Sequence, residues 1–204
     1  MDEGVEIYRA LAHDNPAFLP GLAGALGNLV ACYFEGARSQ EAVVISEETV
    51  EIFRALARDN PAFLPDVAKA LNNLGASYLE VGRPLDAVAA AEEAVETYRP
   101  LAWDNPAFLS DLPKALKNLS NTYSAAGLHQ KAIAPAEETV AVCLTLAQQD
   151  QAGALGHLAM ALDHLGIHYR EVGREAEIQA TWEQASVGLS TEDRQILHFL
   201  RSKL

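Results

Sequence analysis

Asparagine occupies one position of a long internal repeat. Asn28, Asn73 and Asn118 are spaced by 45 residues, and His164 stands at the corresponding place 46 residues further on. A primary amide has two hydrogen-bond donors and an acceptor, so it can bind the main chain of an extended peptide without reading its side chains. The column therefore predicts a ladder of amides for peptide binding. The alternative is that these amides cap or bridge neighbouring helices.

Positive charge is expected beside this ladder, because Lys69, Lys114 and Lys117 fall in neighbouring columns and Arg170 lies beyond them. A mildly basic groove favours a partner with acidic residues or a free carboxylate. The alternative is that the lysines are solvated surface residues. The candidate peptide-binding residues are Asn28, Asn73, Asn118, Lys69, Asn72, Lys114, Lys117, Asn121, His164 and Arg170.

The opposite face is predicted to be acidic. Pairs of glutamates recur at the same 45-residue spacing in the second half of each repeat. We expect these pairs to form a solvated outer wall that keeps the protein soluble. They are Glu47-Glu48, Glu92-Glu93 and Glu137-Glu138.

Histidine and cysteine are weaker candidates for chemistry. His164 and His168 are four residues apart, a spacing at which two histidines on one helix can share a metal ion, and His157 lies seven residues before His164. We favour packing and groove roles for these histidines and predict no metal and no cofactor. Cys32 and Cys143 are far apart in sequence, which fits reduced thiols better than a disulfide.

The sequence offers no catalytic constellation. It has no glycine-rich phosphate loop, no nucleophile elbow and no cysteine with a histidine partner at a meaningful spacing. We therefore predict that the protein is not an enzyme.

The equivalent positions compared above belong to a repeat that we predict to be built from helices. The segment Asp-Asn-Pro-Ala-Phe-Leu begins at residues 14, 59 and 104, and a blurred fourth break follows residue 147. Each repeat has two runs with apolar residues at three- and four-residue spacing, which predicts two amphipathic helices. Asn60 and Pro61 predict an N-cap and a first helical turn, and Gly82 and Gly127 predict short turns between antiparallel helices.

The second repeat resembles the tetratricopeptide signature, with leucine in place of its tryptophan. The long units with a proline-led start are similar to the kinesin light chain class of these repeats, although the usual unit has roughly 34 residues. The residues that carry the resemblance are Leu71, Leu74, Gly75, Tyr78, Gly82, Ala87, Ala91 and Ala94.

The resemblance implies an all-α fold, a right-handed α-solenoid of stacked antiparallel helix pairs. It also implies that Asn28, Asn73 and Asn118 hold the main chain of a bound peptide. Lys117 and Asn121 look like part of the carboxylate clamp of chaperone-binding relatives, but the flanking repeats lack the matching residues.

We predict a single domain over residues 1–204, and we expect the last helix to turn Ile196, Leu197, Phe199 and Leu200 inward. The first helix aligns with the end of a repeat, so its face is expected to meet upstream repeats or another molecule. The segments are a partial second helix (1–14), three repeats (15–59, 60–104 and 105–150), a degenerate fourth repeat (151–189) and a capping helix (190–204).

Composition restricts the partner. A net charge of −13 argues against nucleic acid as the partner. The chain has neither the pattern of a secretory signal nor 18 uninterrupted apolar residues, so we expect a cytoplasmic protein without a membrane partner. We predict a protein-interaction module that binds an extended, acidic peptide segment. The alternative is a structural scaffold, a repeat fragment of a larger signalling protein that assembles, as a homo-oligomer or with other chains, through its N-terminal face.

Overall fold

A computed structural model describes residues 2–35, 38–149 and 153–203 of the chain. Over those residues the secondary structure is α-helix with short 3-10 turns, and it includes no strand. Gly36 lies outside the described residues, as do residues 150–152 of the predicted fourth break. The structure divides into two compact units, unit 1 (Met1–Leu101) and unit 2 (Ala102–Leu204).

Unit 1 is built from consecutive antiparallel helices with a leucine-rich core. Val5 of the first helix packs with Leu22, Leu26 and Leu29 of the second, and a second cluster further along is centred on Leu71. The helices are α1 (Asp2–Asp14), α2 (Leu19–Glu35), α3 (Ser39–Asp59), α4 (Leu64–Glu80) and the part of α5 (Pro84–Asp104) that ends at Leu101.

Unit 2 repeats this arrangement around one central helix, α8. Leu158, Leu162 and Leu165 of α8 are fully buried and pack with Trp182, and the last helix also packs on α8. The helices are α6 (Leu112–Ala125), α7 (His129–Gln148), α8 (Ala154–Glu171), α9 (Ala176–Val187) and α10 (Thr191–Arg201). The predicted fold class, an all-α TPR-like solenoid of helix pairs, is confirmed.

The helix boundaries follow the predicted local chemistry. Asn15 and Asn60 are extended, and their side-chain oxygens accept hydrogen bonds from the backbone amides of Ala17 and Ala62 at 3.0 and 3.1 Å. A 3-10 turn follows each cap and leads directly into α2 or α4. The turns between paired helices use positive φ angles, +71° at Gly82 for example, and glycine adopts these without a steric penalty.

The glutamates of the expected acidic wall remain partly exposed, but four of them also form hydrogen bonds between helices. Glu48 accepts a 2.6 Å hydrogen bond from Arg9, which joins α3 to α1. Glu93 accepts two hydrogen bonds from Arg54, at 2.7 and 2.6 Å, which join α5 to α3. The two ion pairs have the same sequence offset of 39 residues, so they repeat with the period of the chain.

The other glutamate of a pair accepts from a tyrosine of the following helix. The Tyr78 hydroxyl donates to Glu47 at 2.8 Å in unit 1, and the Tyr169 hydroxyl donates to Glu137 at 2.9 Å in unit 2. The Arg83 guanidinium covers the Tyr78 ring at 4.3 Å from its centroid. These glutamates therefore fix one helix pair against the next.

The last helix turns a narrower face inward than we expected. Leu197 is 2% exposed, but Ile196 and Phe199 are 42% and 58% exposed, so their predicted burial is wrong. Leu197 and Leu200 of this helix pack on the core of unit 2. The Arg201 guanidinium, on the same helix, lies 5.1 Å from the centroid of the Trp182 ring.

One described helical segment, Pro16–Tyr33, is long and apolar enough to cross a membrane, with a mean hydropathy of 1.3. Length and composition alone are weak evidence, because helices of a protein core pass the same test. Leu22, Leu26 and Leu29 of this segment are buried in the core of unit 1, as in a core helix.

We expect Tyr78→Phe to lower the free energy of unfolding by about 1 kcal/mol, because Glu47 loses a hydrogen bond between helices. Urea denaturation followed by circular dichroism measures this loss. Tyr8→Phe is the matched control, since the Tyr8 hydroxyl bonds no described residue. Equal stability of the two variants would contradict the structural role of Glu47.

Candidate functional site

The candidate site in unit 1 is a cleft of about 470 Å³ between α2, α3 and α4. Asn28 on α2 and Asn73 on α4 both line it. Both side chains are exposed, and neither amide is hydrogen-bonded to any residue that the structure describes. The alternative that these amides cap or bridge helices is therefore not seen within the described part of the chain.

The floor and walls of this cleft differ in character. Phe53 of α3 and Phe63 of the turn before α4 give it an aromatic floor. Gly24 and Gly27 line its α2 wall, and a Cβ atom added at either glycine would meet no atom within 4 Å. A ligand can therefore approach the backbone of α2 closely on this side.

The charges in the unit 1 cleft balance. Lys69 lines it and forms no ion pair with a described residue, but Asp66 lies three positions earlier on the same helix and lines it too. Positive charge alone does not characterise this cleft. Asn72, the neighbouring candidate, is half-buried, and its Oδ1 atom is buried with no hydrogen-bond partner among the described residues.

The unit 2 cleft lies between α6, α7 and α8 and has a volume of about 260 Å³. Most of its lining residues occupy the same repeat positions as those of the unit 1 cleft. Cys143 and Ala154 stand where unit 1 has Phe53 and Phe63, so the unit 2 cleft lacks the aromatic floor. Leu146, a core residue of α7, is consequently part of the lining in unit 2.

Cys143 is at the floor of the unit 2 cleft and is 3% exposed. Burial raises the pKa of its thiol to about 11. The thiol is therefore protonated at neutral pH and is a poor nucleophile. Neither Cys143 nor Cys32 is in a disulfide.

His164 stands at the repeat position of Asn73, but its side chain, unlike that of Asn73, is hydrogen-bonded. Its Nε2 lies 2.6 Å from Oδ1 of Asn121, and because an amide oxygen only accepts, Nε2 carries the proton. Burial, followed by the nearby His168 and Lys117, lowers the pKa of His164 to about 4. At neutral pH His164 is an uncharged ring held by Asn121.

Lys114 and Lys117 of unit 2 differ in whether they already have an ionic partner. Lys114 donates a 2.8 Å hydrogen bond to Asp111, whereas Lys117 forms no ion pair with a described residue. Both line the cleft, together with His157 and His164, and no carboxylate is among the described lining residues. Asn118 and Arg170 are exposed on α6 and α8 but do not line this cleft.

Sequence reasoning missed a polar cluster around Glu171. This carboxylate accepts hydrogen bonds of 2.7 Å from Ser124 and 3.0 Å from His168, and it lies 3.3 Å from Nδ1 of His129. Burial raises the pKa of Glu171, but the bonds from Ser124, His168 and His129 outweigh it and lower the pKa to about 2. Glu171 thus joins α6, α7 and α8. No spacing within one repeat signals these contacts.

Metal ligation is not supported by the described side chains. Among them, no group of three or more histidine, cysteine, aspartate or glutamate residues is arranged to hold a metal ion. His164 and His168 contact each other edge to face, with ring centroids 4.6 Å apart. The two histidine rings therefore pack against each other.

Comparisons with known proteins agree with this architecture. Residues 67–99 match the tetratricopeptide repeat family model. A crystal structure of nearly identical TPR-like repeats from a kinesin light chain candidate of Podosopora anserina is 22% identical, with a TM-score of 0.62, and the match covers 92% of this chain and 86% of that one. BtubC (BKLC) from P. vanneervenii is 18% identical, with a TM-score of 0.63 and coverage of 92% and 87%.

The predicted resemblance is confirmed: the chain carries a tetratricopeptide repeat, and its structural neighbours are repeat proteins of the kinesin light chain type. Identities of this size show the fold alone. No curated protein matches the sequence.

We expect stability to fall as the pH drops from 6.5 towards 4. His164 has a pKa of 6.5 in the unfolded chain and about 4 in the folded protein. Between these values the unfolded chain binds a proton that the folded protein does not, so acid favours unfolding. His164→Gln should remove about 1–2 kcal/mol of this loss, because partial solvent exposure of the ring weakens the effect.

Urea titrations at several pH values in this window provide the measurement. His157→Gln is the matched control, because His157 is an exposed histidine on the same helix. If wild type and His164→Gln lose stability in parallel, the folded His164 ring is charged near pH 6 and the proposed burial effect is absent.

Proposed function

We propose that the protein is an interaction module that binds an extended peptide segment of a partner protein. The observation that carries the proposal is the pair Asn28 and Asn73, which line one cleft with unbonded amides above an aromatic floor. Tetratricopeptide repeats are a protein-interaction fold, which supports the same reading.

In this proposal the amides bind the main chain and the floor binds side chains. Each asparagine can donate to a peptide carbonyl and accept from a peptide amide, which is the pattern that an extended strand offers. Phe53 and Phe63 supply apolar surface for an alternate side chain. The open glycine wall of α2 lets the peptide backbone approach closely. We assign Asn118, on α6, the same role towards the main chain.

The preference for acidic peptides rests on the lysines. Lys69 and Lys117 have no ion-pair partner among the described residues, so a peptide carboxylate can bind them without displacing another. Lys114 is paired with Asp111, but its side chain is 73% exposed. An exposed pair of this kind contributes roughly 0–1 kcal/mol, so a peptide carboxylate can compete for it. Asp66 in the unit 1 cleft limits the preference there.

A scaffold role is the second candidate, and one observation favours it. On α1, Ile7 and Leu11 lie four residues apart and are 55% and 39% exposed, so one face of this helix presents apolar surface. Self-association through this face would make the mass concentration-dependent. Neither Cys32 nor Cys143 is in a disulfide, which fits a reducing, cytoplasmic setting for either role.

We expect the triple variant Asn28→Ala, Asn73→Ala, Asn118→Ala to weaken binding of acidic peptides by at least about tenfold. Lost main-chain hydrogen bonds contribute roughly 1 kcal/mol each, and about 1.4 kcal/mol is a factor of ten in affinity. Fluorescence anisotropy with a series of labelled peptides graded from basic to acidic measures both affinity and charge preference.

The matched control is Gln40→Ala with Gln130→Ala, which removes exposed amides from α3 and α7 outside both clefts. Circular dichroism should show unchanged helix content in every variant. If no peptide binds, or if the triple variant binds as well as the control, the peptide proposal fails. A mass that rises with concentration, and that Ile7→Ser abolishes, would then favour the scaffold role.

A further inference from the structure

The two clefts share a template but differ in what they offer a ligand. In unit 1, two unbonded amides face the cleft and its lining charges balance. In unit 2, the position of Asn73 is taken by His164, which is held by Asn121, and Asn118 does not line the cleft. The unit 2 cleft therefore lacks the pair of free amides that suits a peptide main chain.

The unit 2 cleft instead has an apolar floor. Cys143, Ala154 and Ala161 are 3%, 3% and 6% exposed, and Leu146 lies beside them. The volume of about 260 Å³ exceeds the roughly 150 Å³ apolar cavity that binds benzene in an engineered protein core. A bicyclic ring, or a single ring with a short chain, fits this space.

Charge at this cleft has one sign. Lys114 and Lys117 line it, no carboxylate is among its described lining residues, and the protein as a whole has a net charge of −13. Lys117 has no partner in the described structure, so an anion at the cleft would satisfy it. An uncharged apolar ligand would leave Lys117 without an ionic partner.

We propose that the unit 2 cleft is a binding site for a small organic anion, an aromatic carboxylate whose ring lies on Cys143 and Leu146 and whose carboxylate pairs with Lys117. Met160, 52% exposed, also lines the cleft, and its flexible thioether adapts to a flat ring. This site goes beyond the peptide proposal and does not depend on it.

Naphthalene-1-carboxylate is a suitable probe, and two methionines provide the readout. The chain contains only Met1 and Met160, so labelling methionine methyl groups with carbon-13 gives a two-signal spectrum, assigned with Met160→Leu. The carboxylate should shift the Met160 signal through the ring current and leave the Met1 signal in place. It should bind at least tenfold more tightly than naphthalene-1-methanol, its neutral analogue, or acetate, which lacks the ring.

Two kinds of variant locate the site. Cys143→Phe places in unit 2 the residue that unit 1 carries at Phe53, so the column tolerates it, and it should abolish binding by filling the floor. Lys117→Gln alters an exposed side chain that the fold does not require. It should reduce the advantage of the carboxylate over the alcohol to less than about threefold.

The Asn28→Ala, Asn73→Ala, Asn118→Ala variant should bind the probe like wild type, which separates this site from the peptide proposal.

The proposal is overturned if the Met160 signal does not move, or if the alcohol binds as tightly as the carboxylate. Unchanged binding in Lys117→Gln would exclude the assigned charge pairing. If Cys143→Phe unfolds on thermal melting, Ala154→Phe, which restores the residue of Phe63, tests the same filling of the floor. Binding that persists in a folded variant of either kind also overturns the proposal.

Discussion

The structure depends on one constraint, which is that a pair of helices cannot bury both of its apolar faces alone. Each pair must therefore pack on the next in a fixed register. Apolar contact is non-directional, so it favours packing without choosing the register. Directional hydrogen bonds between successive helix pairs select one register. In unit 1, Arg54 bonds Glu93 and Tyr78 bonds Glu47, so two polar contacts hold neighbouring pairs in one alignment.

The clefts are a product of that alignment. A cleft forms where the first helices of two successive repeats face each other across the second helix of the earlier repeat. Asn28 and Asn73 are 45 residues apart in sequence but share a cleft because the stacking register brings their columns together. A shift of one pair against the next would separate the two amides. Polar bonds outside the cleft therefore maintain the geometry within it.

Local features and the fold class were predictable from the sequence. The Asn60 cap, the Gly82 turn and the buried leucine columns each follow from residues close together in the chain. Contacts between helices were harder to predict from the sequence. Glu47 meets Tyr78 at an offset of 31 residues and His164 meets Asn121 at an offset of 43, neither of which is the repeat length. A repeat alignment shows which residues share a column, but it does not show which columns touch.

The Arg9–Glu48 and Arg54–Glu93 bonds have a consequence for how such a chain can change. The repeat that contains Glu48 and Arg54 carries an acceptor for the preceding repeat and a donor for the following one, so a copy of this repeat would bring both halves of its contacts. Gene segments of this length can be duplicated or lost without designing a new interface. The ion pairs between repeats then stay interchangeable. The cleft residues of each copy can change independently and come to bind different ligands.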